Sequence, residues 1–269
     1  MTETIPTSPA PQWAMAAGSG LYILGAILAL FLLLRVTTAQ VEVALSEINS
    51  GDPTLSDTRE SLRNIQCPAA IGPTAKESIT YSITNPVSTE QTARIEVYAG
   101  KPGSTRYFIQ CVQTATFDPN QTRELSCDVS AAGIDGQTLA VEVPGVEVHC
   151  GMAIIDGPGG LDGMWALRVG FTASLLALLA GAGLWLLRHS PHGFFQWLRS
   201  ILGILVIVII TIGASFTLFV TDVYWQMVAS VFAFWGALIL TMGLLILLAV
   251  EGIALQWATR RDNTSTPQD

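Results

Sequence analysis

Four apolar stretches divide this chain, and the gap between the first and the second holds all four cysteines. The stretches cover residues 21–34, 165–187, 201–220 and 228–250. A helix rises about 1.5 Å per residue and the hydrocarbon core of a bilayer is about 30 Å thick, so each stretch is long enough, or nearly so, to cross it. The pattern predicts an integral membrane protein with four helical spans and one sizeable domain between the first two.

The composition agrees with a membrane protein whose charge is concentrated in that domain. Mean hydropathy is +0.48, and charged residues make up 13% of the chain, against about 25% in ordinary domains. Between Ala39 and Gly163, seven basic and sixteen acidic residues give a net charge of −9, and the rest of the chain carries +1. Such an acidic domain argues against nucleic acid and anionic lipid as its partners.

Arginines near the ends of the spans predict the orientation in the membrane. Four lie on the side of the loop between the second and third spans, and two on the other side: Arg188, Arg199, Arg260 and Arg261 against Arg35 and Arg168. Because positive residues favour the cytoplasm, we expect a multi-pass protein of the cell membrane with both termini cytoplasmic and residues 39–164 extracytoplasmic. Paired cysteines also favour an oxidising compartment. Alternatively, the first span is a signal sequence cleaved after Thr37-Thr38-Ala39, which leaves three spans and the same outside domain.

The segment after the first span is expected to begin as helix and to continue as strands. Residues 39–66 are predicted to be a helical linker, because Asp52-Pro53 offers a helix start and Leu55, Leu62 and Ile65 give a short helix an apolar face. From residue 78, six or seven short segments alternate apolar and polar side chains between turn signals. This period of two is typical of an antiparallel β-sandwich.

The run from Ser78 to Pro86 resembles the second strand and following turn of immunoglobulin-like domains, and the resemblance covers about Cys67 to Asp156. It implies an Ig-like sandwich of the kind common on cell surfaces. No tryptophan lies between Cys67 and Cys150, and no tyrosine stands two residues before a cysteine, so the antibody-type disulfide placement is not implied. The predicted fold is a membrane α-helical bundle of four spans plus an all-β antiparallel, Ig-like sandwich inserted between spans 1 and 2.

The four cysteines permit three pairings, and hairpin geometry favours one. If a hairpin turns at Pro119, Cys111 lies opposite Cys127 and close enough for a disulfide. Cys67 and Cys150 then join the start of the domain to its end. We expect both bonds to be structural, because C-x-x-C is absent and the spacing of the cysteines and His149 does not suit zinc, so no metal site is expected.

Small residues recur at helical spacing in the spans, which allows helices to approach closely in lipid. These residues are predicted to pack within the bundle or, alternatively, against a partner or a second copy in a homo-oligomer. The predicted packing residues are Gly25, Ala29, Ala173, Ala177, Gly181, Ala233 and Ala237.

No catalytic or cofactor motif is present in the sequence, and the middle of each span lacks charged residues, so neither an enzyme nor a pump is expected. The first hypothesis is a non-enzymatic membrane protein whose outside domain binds another protein, as an accessory or assembly subunit or in adhesion. The alternatives are a subunit of an oligomeric channel or transporter, with Thr211, Ser215 and Thr217 lining a path, and a partner-dependent receptor.

The predicted organisation begins with a cytoplasmic tail and ends with another. Its successive parts are the tail 1–13, span 14–38, linker 39–66, sandwich 67–156, a pliable glycine-rich joint 157–164, span 165–188, loop 189–198, span 199–221, span 223–258 and the tail 259–269.

Overall fold

Four long apolar helices dominate the computed structural model of the protein, which describes residues 12–50, 62–143, 148–186, 193–220 and 223–264. The helices are α1 (Gln12–Ser50), α2 (Gly163–Leu186), α3 (Gly193–Phe219) and α4 (Val223–Thr264). Each contains a segment long and apolar enough to cross a membrane: Ala16–Leu45, Gly163–Leu184, Trp197–Phe219 and Trp225–Val250. The chain is therefore a multi-pass membrane protein.

Several helices continue beyond the predicted spans. Helix α1 has 39 residues, about 58 Å at the usual rise, and passes the predicted boundary at residue 38 without a break. Residues 193–198 and 259–264, predicted as loop and tail, are helical. No proline stands inside either segment to stop the helix. The rest of the predicted termini, linker and loop, at 1–11, 51–61, 187–192 and 265–269, lies outside the described residues.

Eight strands form the domain between α1 and α2. They are β1 (Leu62–Gln66), β2 (Ala70–Ile71), β3 (Lys76–Thr84), β4 (Gln91–Gly100), β5 (Tyr107–Phe117), β6 (Thr122–Ser130), β7 (Thr138–Val143) and β8 (Val148–Ile154). One sheet has the order β1-β3-β6, and the other has the order β2-β8-β7-β4-β5. Both sheets supply side chains to one apolar core, among them Tyr81 and Ile79 from the first and Val97, Leu139 and Met152 from the second.

Two sequence predictions are wrong in this domain. Residues 62–66, predicted as the end of a helix, form β1 and pair with β3, where Arg63 lies opposite Ser82. The antiparallel expectation fails at β2, which pairs with β8 in parallel. Residues 62–66 are a strand because they pair with β3. The parallel pairing arises because the chain crosses from the first sheet to the second between Gln66 and Ala70, so β2 runs beside the last strand in the same direction.

The internal contacts divide the chain into two compact units. The first contains three segments: the chain up to Leu30, the segment from Thr172 to Thr211, and the chain from Trp235 onward. The second contains the β domain and the remaining segments of the four helices. Buried residues of all four helices form the core of the first unit: Tyr22, Ala26, Ala29, Leu178, Val206, Ile210, Ala237 and Leu244.

Candidate functional site at the base of the disulfide-bonded domain

One disulfide joins Cys111 in β5 to Cys127 in β6, with Cα atoms 6.3 Å apart. The pair is the predicted one, but the predicted hairpin is wrong, because β5 and β6 belong to different sheets. The turn at 118–121, closed by a 3.0 Å bond from Gln121 N to Asp118 O, carries the chain from one sheet to the other. The disulfide therefore joins the edges of two sheets.

β5 and β6 are not paired by backbone hydrogen bonds, because they belong to different sheets. Side-chain hydrogen bonds connect them instead. The Gln113 amide donates to the Ser126 carbonyl, and the Ser130 N–H donates to the Gln110 side chain at 2.8 Å. The Arg123 guanidinium donates to the Thr116 carbonyl at 2.9 Å. Together with the disulfide, these bonds hold β5 against β6.

The second disulfide joins Cys67 to Cys150, which are separated by 83 residues. Cys67 lies where the chain crosses between the sheets, and Cys150 lies in β8. Both residues are buried in the domain core. This bond also matches the predicted pair and fixes the crossing to the last strand.

Helix α1 binds the end of the domain where β7 begins and β8 ends. The Arg35 guanidinium donates to the Ile154 carbonyl at 3.1 Å and to the Gln137 side chain. About two turns later, Glu42 accepts a 2.7 Å bond from the Thr138 hydroxyl. These bonds attach the end of the β domain to α1.

The backbones of α1 and β8 approach so closely that only glycine fits at position 151. A Cβ atom on Gly151 would lie 2.4 Å from the Ala39 carbonyl oxygen and 2.8 Å from the Gln40 Cα atom. Since both neighbours are backbone atoms, neither can move aside as a side chain would. The domain is therefore fixed to α1 by shape as well as by hydrogen bonds.

A buried polar network lies beneath the Cys67 crossing. The Gln40 amide donates to the Gln226 side chain at 3.2 Å, and the Ser230 hydroxyl donates to Gln40 at 3.0 Å. Gln226 in turn donates to the Cys67 carbonyl at 3.5 Å and to the Val220 carbonyl. The sequence offers one signal of this network, a glutamine just beyond the first apolar stretch, Gln40, and another just before the fourth, Gln226.

A cleft of about 430 Å³ opens beside this network. Its domain wall includes Gln66 and Glu77, and its helix wall includes Trp165, Arg168 and Gln226. A volume of this size lies within the range of about 300–1,000 Å³ typical of small-molecule sites. The cleft therefore combines room for a ligand with charges of both signs.

Electrostatics in the cleft centre on Glu77. Burial raises the pKa of the Glu77 carboxyl above its usual value, Arg168 opposes that shift, and Asp162 adds to it. The Arg168 guanidinium also lies 5.8 Å from the centre of the Trp165 ring. Arg168 and Asp162 are thus the charged groups that act on Glu77.

The glycine-rich joint at 157–164 is closely packed at its two ends, whereas Gly159 and Gly160 lie in open space, and its predicted pliability stays a prediction. The Gly163 N–H donates to the Ile155 carbonyl at 3.0 Å. A Cβ atom on Gly72 would lie 2.1 Å from the Asp162 carboxylate, and one on Gly157 would lie 1.9 Å from the Leu161 carbonyl oxygen. These glycines permit close contact between segments.

Most of the predicted packing residues lie at helix contacts. A Cβ atom on Gly25 would lie 2.8 Å from the Ser174 carbonyl oxygen and 3.1 Å from the Ala177 Cβ, and one on Gly181 would lie 2.6 Å from the Gly18 carbonyl oxygen. Ala29, Ala233 and Ala237 are buried.

Ala173 is exposed in the single chain, so its place in the packing line stays a prediction, with contact to a partner or a second copy as the alternative. The next residue, Ser174, is buried and donates to the Gly25 carbonyl at 2.7 Å. The contact face of α2 therefore includes Ser174 together with Ala177 and Gly181 of the predicted line.

An apolar patch is exposed on the outward face of β5. Val97 and Ala99 of the neighbouring strand point into the core, so the positions opposite Glu96, Tyr98 and Gly100 point outward. Those positions are Tyr107, Ile109 and Val112, which are 38%, 58% and 46% exposed. We call these three residues the β5 patch.

Comparison with known proteins identifies no family. No family model matches the chain, and no curated protein matches it. Among the described residues, no group of three or more His, Cys, Asp or Glu side chains is placed to hold a metal ion.

Parts of solved β-glucosidases show a weak structural likeness. An enzyme from Listeria innocua is 8% identical with a TM-score of 0.29, over 35% of this chain and 15% of that one. One from Erythrobacter marinus is 10% identical with a TM-score of 0.30, over 35% and 15%. One from Bifidobacterium adolescentis is 12% identical with a TM-score of 0.29, over 42% and 20%. Each match covers no more than a fifth of the enzyme.

Proposed function

We propose that this is a non-enzymatic membrane protein that presents an Ig-like domain to a protein partner, as an accessory or assembly subunit or in adhesion. The observation that carries the proposal is the β5 patch. Its tyrosine and two aliphatic residues are exposed side by side on the edge strand of a sheet. Exposed apolar clusters are typical of protein contacts, and tyrosine is enriched there.

The order of the strands supports an Ig-like assignment. In such domains, the first, second and fifth strands share one sheet, and the third, sixth and seventh share the other. Here β1, β3 and β6 form the first sheet, and β4, β7 and β8 are consecutive in the second. β5 then takes the place of the added edge strand of variable-type domains.

The proposed orientation places the β domain outside the cytoplasm and both termini inside. The two disulfides support it, because they fit an oxidising compartment. Cysteine introduced at the exposed position Glu124 is expected to react with an impermeant maleimide in intact cells, whereas cysteine introduced at Gln268 is expected to react only after permeabilisation. The reverse pattern would contradict the orientation.

The contact itself is tested by photo-crosslinking in intact cells. A photoreactive amino acid at Ile109 is expected to give one discrete protein adduct. At Thr114, which is also exposed on β5 and lies opposite Arg94, it should give none. Ile109→Asp should abolish stoichiometric co-purification of the same partner, and Thr114→Asp should not. Equal crosslinking from both positions would contradict a contact centred on the β5 patch.

The channel alternative gains no support from the hydroxyl groups proposed to line a path. Thr211 donates to the Ile207 carbonyl at 2.7 Å, and Thr217 donates to the Gly213 carbonyl at 2.8 Å. Both hydroxyls are therefore bonded within their own helix, as is common for threonine in membrane spans.

A further inference from the structure

The cleft beside the Cys67 crossing lies where the helices meet the lipid interface. Trp165 near the start of α2 and Trp225 near the start of α4 are both largely exposed. Exposed tryptophans at the ends of apolar spans mark the depth of lipid head groups. Trp165 lines the cleft, and Gln226 follows Trp225 directly, so the cleft opens at that depth.

Arg168 is the positive group of this cleft. It lies five residues into α2, about 7.5 Å from the helix start. An arginine at this depth extends its guanidinium toward the interface, where lipid phosphates are the abundant anions. Arginine also binds phosphate through two parallel hydrogen bonds, which favours it over other residues for this role.

Among the described residues around Arg168, negative charge exceeds positive charge. Glu77 and Asp162 both act on the site, so the three groups together carry one net negative charge when ionised. A ligand with only a phosphate group would bring a further negative charge close to these carboxylates. A ligand with a phosphate and an ammonium group places a positive charge beside them as well.

We propose that this cleft binds the head group of a zwitterionic phospholipid, with its phosphate on Arg168 and its ammonium group on Glu77. The apolar part of the helix wall, which includes Met164 and Leu218, then faces the glycerol end of the lipid. This proposal is independent of the protein partner, because the β5 patch shares no residue with the cleft.

Lipid retention by the full-length protein tests the proposal. The protein is purified in detergent, freed of lipid and incubated with phosphatidylethanolamine or phosphatidylglycerol, and bound lipid is counted by native mass spectrometry. Glu77→Gln is expected to lower phosphatidylethanolamine binding about tenfold and to leave phosphatidylglycerol binding unchanged, because only the former has an amine. Arg168→Gln should lower the binding of both lipids.

Matched substitutions of exposed groups on the domain serve as controls. Glu124→Gln and Arg94→Gln should change neither lipid. Equal phosphatidylethanolamine binding by Glu77→Gln and Glu124→Gln would overturn the proposal, as would the absence of any saturable binding. If Arg168→Gln fails to fold, lipid binding is measured with Arg168→Lys instead. The ratio of phosphatidylethanolamine to phosphatidylglycerol bound by Glu77→Gln then tests the ammonium contact independently of Arg168.

Competition with soluble phosphoethanolamine distinguishes the two sources of this head-group chemistry. If the soluble compound displaces the lipid at equal concentration, and does so only with Glu77 intact, the site recognises the free zwitterion. If it does not displace the lipid, the acyl chains contribute and the ligand is the membrane lipid. Displacement that persists in Glu77→Gln would contradict the assigned ammonium contact.

Discussion

At the scale of single residues, two buried tyrosines differ in whether their hydroxyl groups are hydrogen-bonded. Tyr22 in α1 donates to the Gly203 carbonyl at 2.8 Å. Tyr81 in β3 has a buried hydroxyl with no partner among the described residues, and burial raises its pKa. A buried polar group without a partner costs stability, whereas a bonded one contributes to it.

Removing each hydroxyl should therefore have opposite consequences. We expect Tyr22→Phe to lower the free energy of unfolding by about 1 kcal/mol, and Tyr81→Phe to leave it unchanged or raise it by up to about 1 kcal/mol. Chemical unfolding of both variants in detergent, followed by tryptophan fluorescence, measures the difference. Equal losses would mean that the Tyr81 hydroxyl has a partner.

The raised pKa of Glu77 predicts a pH dependence. Burial raises its folded-state pKa above the ordinary value of 4.5, so the stability it contributes is complete below about pH 4.5 and is lost as pH rises through the folded-state pKa. Glu77→Gln in lipid-free detergent should remove this loss and raise the melting temperature at pH 7 relative to wild type. A thermal scan from pH 4 to 7 checks this, and a difference that grows toward low pH would contradict it.

At the scale of elements, α1 is both a membrane span and the support of the β domain. Gln40 provides its buried link to α4, through Gln226 and Ser230. Replacing either glutamine alone leaves buried polar atoms of the other without a partner. The loss is then larger than the hydrogen bond itself contributes.

A double-mutant cycle measures this coupling. Gln40→Leu and Gln226→Leu are each expected to cost about 1–3 kcal/mol, and the double variant should cost less than their sum. Unfolding in detergent provides the four free energies, with Gln91→Leu on the exposed start of β4 as a control near zero. Strict additivity would show that the two side chains act independently.

The helices and the disulfide pairs follow from local sequence patterns, but the sheet assignment does not. Apolar runs of 20 residues have few alternatives to a membrane span, and alternation marks β3 and β4 directly. Cys111 and Cys127 were paired from an assumed hairpin, whereas the turn before β6 moves the chain to another sheet. Local residues do not distinguish these arrangements, because the choice depends on pairing with β3, far away in sequence.

The cleft was not predictable for the same reason. Glu77 and Arg168 come from a strand and a helix about 90 residues apart, and neither residue lies in a recognisable motif. The buried glutamines give a weaker signal, since an amide at the end of an apolar stretch needs a partner that the sequence does not name.

At the scale of the whole molecule, the two disulfides close loops of very different length. They span 83 and 16 residues. In the chain-entropy model, the first contributes about 4–5 kcal/mol and the second about 3 kcal/mol, because a longer loop loses more freedom in the unfolded chain. The longer bond should therefore matter more for the stability of the domain.

Paired serine substitutions test this order. Cys67→Ser with Cys150→Ser is expected to lower the melting temperature more than Cys111→Ser with Cys127→Ser. Thermal unfolding of both double variants in detergent, compared with the wild type, gives the two shifts. The reverse order would show that the disulfide between β5 and β6 stabilises the domain more than the length of its loop implies.

The bond from Gln226 to the Cys67 carbonyl spans 159 residues, and this separation has a consequence for biosynthesis. When the ribosome has completed the β domain, it has not yet made Gln226, whose side chain donates to the Cys67 carbonyl. The nascent domain therefore lacks the bonds from Gln226 to the Cys67 carbonyl and to Gln40 until the final span has been made. Completion of the fold is thus coupled to the last step of membrane integration.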